Sequence, residues 1–199
     1  MKSYKIQDLN LVADIKKGAV GVLPTDTLYG IVGQAKSKEA VKKIYNLKSR
    51  SFQKPFIILI GSFSDLRKFE INLDKKTKKL LDQIWPGKVS VVFSCQSKKL
   101  EYLHCGMKSL AFRLPTSQKL SKLLKKTGPL VAPSANPEGQ KPAENIKEAR
   151  NYFNQSVDFY VAGGKLKGAP STIVEIKNGK MDLIREGKMS KKLRRLIVS

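Results

Sequence analysis

Apolar residues recur along the chain in short blocks, and their spacing alternates between that of a helix and that of a buried strand. Leu9, Val12 and Ile15 share one helical face, and Gly18 follows where such a helix would end. A second kind of block, such as residues 56–60, is continuously apolar and has the length of a buried strand. The pattern predicts helices at about 9–15, 38–47, 74–85, 117–127 and 143–153, a basic helix at the end of the chain, and strands at 19–23, 56–60, 89–93, 110–113, 130–132, 159–162, 172–176 and 182–185.

The order of these elements indicates the fold class. Strands and helices alternate imperfectly, because strands follow one another directly near both ends of the chain. Such an order favours an α/β domain, with helices flanking a mixed sheet, over a regular doubly wound fold. A chain of 199 residues can bury about 70% of its unfolded surface without a metal or disulfide. We therefore expect residues 1–199 to form a single domain.

Several classes of protein and of site are excluded by what the sequence lacks. Its longest aliphatic block, residues 56–60, is far shorter than the roughly 18 residues of a membrane-spanning helix. Residues 1–10 lack the apolar segment of a secretory signal, so we expect a cytoplasmic protein with no membrane partner. Two cysteines and one histidine cannot build a disulfide framework or a Cys/His zinc site, and neither a P-loop nor a dinucleotide-binding fingerprint occurs. His104, in the polar stretch 98–108, is expected to lie in an exposed loop.

The net charge of +23 is the extreme feature of the composition. A field of this size attracts polyanions such as tRNA, rRNA, nucleotides or an acidic membrane surface. Lysine outnumbers arginine 32 to 7, which AT-rich coding would also produce without any partner. The arginines are therefore more informative, and Arg50, Arg113 and Arg185 lie at or near the ends of predicted strands. The basic tail at 188–199 is expected to be a solvated helix end.

Four polar segments lie at the ends of predicted strands, where ligand sites collect. Segment 23–30 places two threonines and an aspartate in a tight turn, although a plain hairpin would look similar. Segment 48–55 carries three cations that suit a polyphosphate, although a basic helix end would look alike. Segments 131–139 and 163–172 combine small residues, which let a ligand approach the backbone, with hydroxyl and amide side chains. Together with Arg185 they predict a basic cleft for a nucleotide and a small polar substrate.

Seven motifs run through these segments in order: PTDTLYG (24–30), KSRxxxKP (48–55), WPG (85–87), RLP (113–115), APSAN (132–136), PSTIV (170–174) and IREG (184–187). In this order the chain resembles the YrdC/TsaC family, the threonylcarbamoyl-AMP synthases, from about residue 19 to residue 187. The resemblance implies an open, twisted α/β sheet around a large basic concave cavity. It also implies an enzyme that makes threonylcarbamoyl-AMP from L-threonine, bicarbonate and Mg²⁺-bound ATP, with release of pyrophosphate. Other proteins would then transfer the threonylcarbamoyl group to the adenosine beside the anticodon of certain tRNAs.

The family's substrate contacts are carried over to the matching positions of this chain. L-Threonine would contact Thr27, Arg113, the backbone of Ala132, and Ser171, with Arg113 pairing with its carboxylate. ATP would contact Arg50, Lys54, Ser109, Ser134, Asn136, the turn near Pro142, and Arg185. Lys48 and Arg50 would be the catalytic residues near the phosphates. No side-chain metal ligand is expected, and Asp26 is a candidate metal or amine contact for which a turn-forming role is favoured.

The sequence departs from the family pattern at several positions. The usual WPGPLT reads WPGKVS, with Lys88 for a proline and Ser90 for a threonine, and Glu138 and Lys141 stand where small residues are common. Longer members of the family carry an extra C-terminal domain and a linker over the site. Neither is expected here, so either another segment closes the cavity or the cavity has no lid.

Two other functions remain as alternatives. A non-catalytic RNA-binding protein acting in tRNA or rRNA maturation would fit the charge, although no RNA-binding motif is found. Direct tRNA binding is left open under either function. A carbamoyl-transfer domain uses the same module in hydrogenase maturation, but those proteins carry zinc-binding cysteine clusters that two cysteines cannot provide.

Overall fold

A computed structural model describes residues 2–51, 54–177, 179–187 and 191–198 of the chain. Its strands are β1 (Lys2–Tyr4), β2 (Gly21–Pro24), β3 (Tyr29–Gln34), β4 (Ile57–Leu59), β5 (Val89–Ser94), β6 (Ser109–Arg113), β7 (Leu130–Val131), β8 (Phe159–Val161), β9 (Thr172–Lys177) and β10 (Lys180–Arg185). They form one sheet in the order β1-β8-β2-β3-β7-β4-β6-β5-β9-β10. The sheet is mixed: it contains parallel pairs such as β4–β6 and β5–β9 and antiparallel pairs, including the hairpins β2–β3 and β9–β10 near the two ends of the chain. The prediction of an α/β fold on a mixed sheet is confirmed.

Helices flank this sheet, and sequence signals explain where they begin. They are α1 (Leu9–Lys16), α2 (Lys38–Leu47), α3 (Lys75–Ile84), α4 (Glu101–His104), α5 (Gln118–Thr127), α6 (Ile146–Phe153) and α7 (Lys191–Val198), with 3-10 helices at Phe63–Phe69 and Lys98–Leu100. The side chains of Ser37, Asp74 and Ser117 each accept a hydrogen bond from the backbone N–H three residues on. α6 begins later than predicted because Asn145 caps it and the N–H of Ala143 bonds instead to the carbonyl of Ala135.

Neighbouring residues of the central strands bury their side chains in two separate apolar clusters. Val22 and Ile31 belong to a cluster that includes residues of α2, α3 and α6. Leu23 and Val32 belong to a second cluster, which includes residues of α1 and α5. Side chains alternate between the faces of a strand, so helices cover the sheet on both sides. Burial on both faces is also why these strands read as continuous apolar blocks in the sequence.

The segment around the single histidine differs from its prediction. An exposed loop was expected, but His104 ends α4 and is only 4% exposed. Its Nε2 lies 3.2 Å from the carbonyl oxygen of Ser97. Leu100 and Leu103 are buried in the first apolar cluster, and the turn of helix that places them there brings the histidine inside with them.

The two ends of the chain also add contacts that the apolar pattern did not indicate. β1 has little apolar character and is held by its parallel pairing with β8. The basic tail lies outside the described residues at 188–190 and 199. Within α7, Leu193 is buried in the first cluster, whereas Arg194 and Arg195 are exposed and Arg194 pairs with Glu186 at 2.7 Å. The helix therefore packs on the core through Leu193 and keeps these two basic side chains in solvent, as predicted. No helix in the described part of the chain is long and apolar enough to cross a membrane.

Candidate functional site

The polar segments singled out in the sequence converge on one cavity beside the middle of the sheet. Eight of the residues predicted to bind substrates line it: Thr27, Arg50, Arg113, Ala132, Ser134, Pro142, Ser171 and Arg185. We call this the site cavity. The other four predicted residues, Lys48, Lys54, Ser109 and Asn136, are not among its lining residues. Which substrate atoms each residue contacts stays a prediction.

The turn between β2 and β3 forms one wall of the site cavity. Thr25 fixes this turn, because its hydroxyl oxygen accepts hydrogen bonds from the N–H groups of Thr27 and Leu28 and donates to the carbonyl of Leu28 at 2.7 Å. The hydroxyls of Thr25 and Thr27 lie 3.1 Å apart. A Cβ atom on Gly168 would meet the carbonyl oxygen of Thr27 at 2.0 Å, so only glycine lets the loop before β9 approach this turn. The turn is therefore held by the hydrogen bonds of Thr25 within it and by the close packing of Gly168 against it.

Arg113 ends β6 and forms a buried ion pair with Asp26. Arg113 Nη2 lies 3.0 Å from Asp26 Oδ1, and the two side chains are 5% and 4% exposed. Burial lowers the pKa of the Arg113 guanidinium, while the charge of Asp26 and the hydrogen bond to it act in the opposite direction. The Nε atom of Arg113 is buried and has no hydrogen-bond partner among the described residues. The expected turn-forming role of Asp26 is wrong, because Thr25 holds the turn and Asp26 bonds to Arg113 and Thr116.

Ser171 and Arg185 also line the site cavity, Ser171 directly before β9 and Arg185 at the end of β10. The hydroxyl of Ser171 lies 2.9 Å from the hydroxyl of Ser90, and both side chains are buried. Arg185 Nη2 donates to the carbonyl of Ser171 at 2.9 Å. Burial lowers the pKa of Arg185, and the positive charge of Arg50 lowers it further. Ser90 was noted in the sequence only as a departure from the family pattern, and its contact with Ser171 was not predicted.

The loop after β7 is held in place by Lys48. This lysine is only 2% exposed, and its Nζ donates to the carbonyl of Ser134 at 2.6 Å and to that of Asn136 at 2.5 Å. Burial, and then the charge of Arg50, lowers the pKa of Lys48 to about 8, while Glu138 acts in the opposite direction. The Nδ2 of Asn136 donates within the same loop, to the carbonyls of Pro137 and Gln140. Lys48, predicted as a catalytic residue near the phosphates, and Asn136, predicted to bind ATP, therefore both organise the loop that carries Ser134.

The remaining predicted residues lie at or beyond the edge of the site cavity. Arg50 lies over the ring of Phe56, with 5.4 Å from its Cζ to the ring centroid, and its Nε donates to the carbonyl of Lys54. The Nζ of Lys54 pairs with Glu138 at 2.6 Å, and that hydrogen bond lowers the pKa of the Glu138 carboxyl. Ser109 starts β6, opposite Ser94 of β5, and so lies at the other end of the strand from Arg113.

The site cavity has a strong charge bias. Among the described residues that line it, the charged side chains are Arg50, Arg113 and Arg185, and no carboxylate is included. Arginine can bind carboxylate or phosphate oxygens through two N–H groups at once. No group of three or more His, Cys, Asp or Glu side chains in the described part of the chain could hold a metal ion. The arrangement suits a ligand with several negative charges and hydroxyl or amine groups.

The family model, the related sequences and the solved structures that resemble this chain all point to one protein family. Residues 13–187 match the Sua5_yciO_yrdC family model, described as "Telomere recombination". A putative threonylcarbamoyl-AMP synthase of Methanocaldococcus jannaschii is 31% identical over 198 residues, covering 94% of this chain and 93% of the relative. The threonylcarbamoyl-AMP synthase of Bacillus subtilis is 29% identical over 180 residues, but the match covers 52% of that protein and 89% of this chain. The structure of Pyrococcus abyssi Sua5 in complex with L-threonine has a TM-score of 0.86 at 25% identity, and the match covers 98% of this chain and 59% of that protein. The chain thus spans between half and nearly all of the length of these relatives.

Proposed function

The chain belongs to the Sua5/YciO/YrdC family, and on that basis we propose that it is a threonylcarbamoyl-AMP synthase. It joins L-threonine, bicarbonate and ATP into threonylcarbamoyl-AMP and releases pyrophosphate. The observation that carries this proposal is the convergence of three arginines and several hydroxyl groups on one cavity that lacks lining carboxylates among the described residues. Relatives named as threonylcarbamoyl-AMP synthases, one of them similar over nearly its whole length, support the same activity.

L-Threonine is assigned to the end of the site cavity formed by Thr27, Arg113 and Ser171. A guanidinium with free N–H groups is the expected partner of the amino-acid carboxylate. Hydroxyls at Thr27 and Ser171 can bond to the amine and hydroxyl of the substrate. The backbone of Ala132 lies in the same cavity and supplies a further contact. The complex of Pyrococcus abyssi Sua5 with L-threonine supports a threonine site in this fold.

ATP is assigned to the end formed by Arg50, Ser134, Pro142 and Arg185. Arg50 and Arg185 neutralise phosphate charge, and Lys54 would add a third cation by exchanging its ion pair with Glu138 for a phosphate oxygen. Mg²⁺ would enter with ATP, held by the phosphate oxygens. This is usual for Mg²⁺, because most of its ligands are water molecules and phosphate oxygens. Lys48 and Asn136 act in this assignment through the loop that presents Ser134.

The reaction then needs positioning and charge neutralisation more than covalent catalysis. The unprotonated amine of threonine attacks carbon dioxide derived from bicarbonate, forms an N–C bond and loses a proton, which gives a carbamate. A carbamate oxygen attacks the α-phosphorus of ATP, and the bond from that phosphorus to the bridging oxygen breaks as pyrophosphate leaves. Phosphoryl and nucleotidyl transfers of this kind are promoted by cations placed around the phosphates and by alignment of the reactants. A site of arginines and hydroxyls, with no Cys, His or carboxylate among the described lining residues to act as nucleophile or general base, suits this chemistry.

The product is a mixed anhydride, so its threonylcarbamoyl group is activated for transfer. We propose that proteins of tRNA threonylcarbamoyl transfer consume it. The alternative of a non-catalytic RNA-binding protein is not supported, because the relatives are named as synthases.

Pyrophosphate release from ATP tests the proposed function. The purified chain is assayed with Mg²⁺, and threonine and bicarbonate are each omitted in turn. We expect release that requires both. Release that continues without threonine would indicate another acceptor, and no release from folded protein would contradict the synthase activity.

A further inference from the structure

We propose that Asp26 is a positioning residue that orients the guanidinium of Arg113 toward the substrate carboxylate. The inference rests on the proposed function and deepens it, because it names a residue that acts on threonine through another side chain. Asp26 is not among the residues that line the site cavity. Its effect on substrate therefore has to pass through Arg113.

The hydrogen bonds of Asp26 account for both of its carboxylate oxygens. Oδ1 accepts from Arg113 Nη2 at 3.0 Å. Oδ2 accepts from the backbone N–H of Thr116 at 3.1 Å and from its hydroxyl at 3.3 Å. A carboxylate whose oxygens are both engaged and buried is poorly placed to bind a metal ion or to remove a proton from an amine. The structure thus favours an orienting role over the metal or amine contact considered from the sequence.

The hydrogen bonds of Arg113 show which of its donors remain for a ligand. Nη2 is directed at Asp26, and the hydroxyl of Thr25 lies 3.4 Å from the same nitrogen. Nε is buried without a partner in the described part of the chain, although Arg113 lines the site cavity. A buried donor of this kind needs an acceptor, which a bound carboxylate would supply. Asp26 thus holds one edge of the planar guanidinium and leaves other donors for the substrate.

The position of Asp26 between two segments makes this orientation rigid. It belongs to the β2–β3 turn that Thr25 fixes, and it reaches the segment after β6 at Thr116. The guanidinium of Arg113, which extends from the end of β6, is therefore held by a residue of the β2–β3 turn. Recognition of a carboxylate by arginine depends on the direction of the planar fork, so a small rotation would weaken threonine binding.

The test is Asp26→Asn, which keeps the shape and the acceptor for Thr116 but removes the charge beside Arg113. We expect the calorimetric Kd for L-threonine to rise at least tenfold, and the KM for ATP to stay within twofold. Asp26→Glu, which restores the charge, should recover part of the loss. The matched control is Asp65→Asn, since Asp65 is also buried, accepts from backbone N–H groups and pairs with Lys68, but lies away from the site cavity. Asp65→Asn should leave the threonine Kd unchanged.

A double-mutant cycle shows whether Asp26 acts through Arg113. In an Arg113→Lys background, Asp26→Asn should weaken threonine binding much less than it does in the wild-type chain. Equal losses in both backgrounds, or an unchanged Kd in Asp26→Asn alone, would overturn the inference. If Asp26→Asn does not fold, Thr116→Val replaces it, with a severalfold rise in Kd expected and no rise contradicting the proposal. Failure of the wild-type chain to bind threonine would instead contradict the proposed function, so the two failures are distinguishable.

Discussion

Lys48 gives a quantitative prediction, because its ammonium group is buried and its pKa is lowered to about 8. In the unfolded chain the group keeps the ordinary value of 10.5. Between these two values the unfolded state binds more protons than the folded state, so stability rises with pH. At 1.36 kcal/mol per pH unit the full gain is about 3 kcal/mol, of which about 2.5 kcal/mol is reached between pH 7 and pH 10.

The measurement is urea unfolding of the wild-type chain and of Lys48→Met across that pH range. Other groups, such as buried tyrosines, also titrate, but they contribute equally to both proteins and cancel in the difference. The free energy of unfolding of the wild type, minus that of Lys48→Met, should increase by about 2.5 kcal/mol from pH 7 to pH 10. Lys42→Met, on the exposed side of the same helix, is the matched control for the removal of one lysine charge.

A flat difference for Lys48→Met would refute the assignment of Lys48 as a buried anchor of the loop that carries Ser134. The same range of pH also distinguishes an anchor from a phosphate contact. A neutral amine still donates to the carbonyls of Ser134 and Asn136, so loss of the charge should leave the KM for ATP nearly unchanged. A KM for ATP that rises steeply above pH 8 would instead indicate that the charge of Lys48 acts on the phosphates, as the family resemblance predicts.

Further predictions concern the two sides of the site cavity. Arg50→Ala should abolish turnover with an unchanged circular dichroism spectrum, and wild-type rates would contradict its assignment to ATP. Arg113→Ala should also abolish turnover, and it should lower the free energy of unfolding by about 3–5 kcal/mol in urea, because it leaves Asp26 buried without its partner; unchanged stability would contradict the buried ion pair. Ser90→Ala should raise the KM for threonine severalfold and cost about 1–2 kcal/mol in stability, since the hydroxyl of Ser171 loses its partner. Ser90→Thr keeps the hydroxyl and should behave as the wild type, and equal KM values for both variants would contradict the role given to Ser90.

Much of the fold could be predicted because local signals and tertiary packing agree. Ser37, Asp74 and Ser117 cap helices in the structure, at or one residue before the starts of the predicted helices 38–47, 74–85 and 117–127. Most strands buried between two layers of helices are apolar throughout, so their existence is visible without knowledge of their partners. The buried strand β3 was not among the predicted strands, because its two glycines and Gln34 interrupt the apolar block. β1 was missed because its stability comes from pairing with β8, far away in sequence. The burial of His104 was missed because a short helix with one polar face reads as a loop.

The candidate site was predictable as a set of segments but not as a set of contacts. Polar residues at strand ends converge because the sheet brings those ends together, which is why eight of the twelve carried-over residues line one cavity. The sequence cannot show which partner the terminal group of a long side chain contacts. Lys48 lies in a basic segment and resembles a phosphate contact, yet its Nζ turns inward to two carbonyls. Asp26 resembles a turn residue, yet its partners are Arg113 and Thr116, far along the chain.

Identification of the product shows whether one cavity joins threonine, bicarbonate and ATP. The chain is incubated with ATP, Mg²⁺, L-threonine and ¹³C-labelled bicarbonate, and the nucleotides are separated rapidly and analysed by mass spectrometry. We expect a species with the mass of threonylcarbamoyl-AMP that carries the ¹³C label and forms only when all substrates are present. Absence of that species, or a threonine-containing nucleotide without the label, would contradict the account.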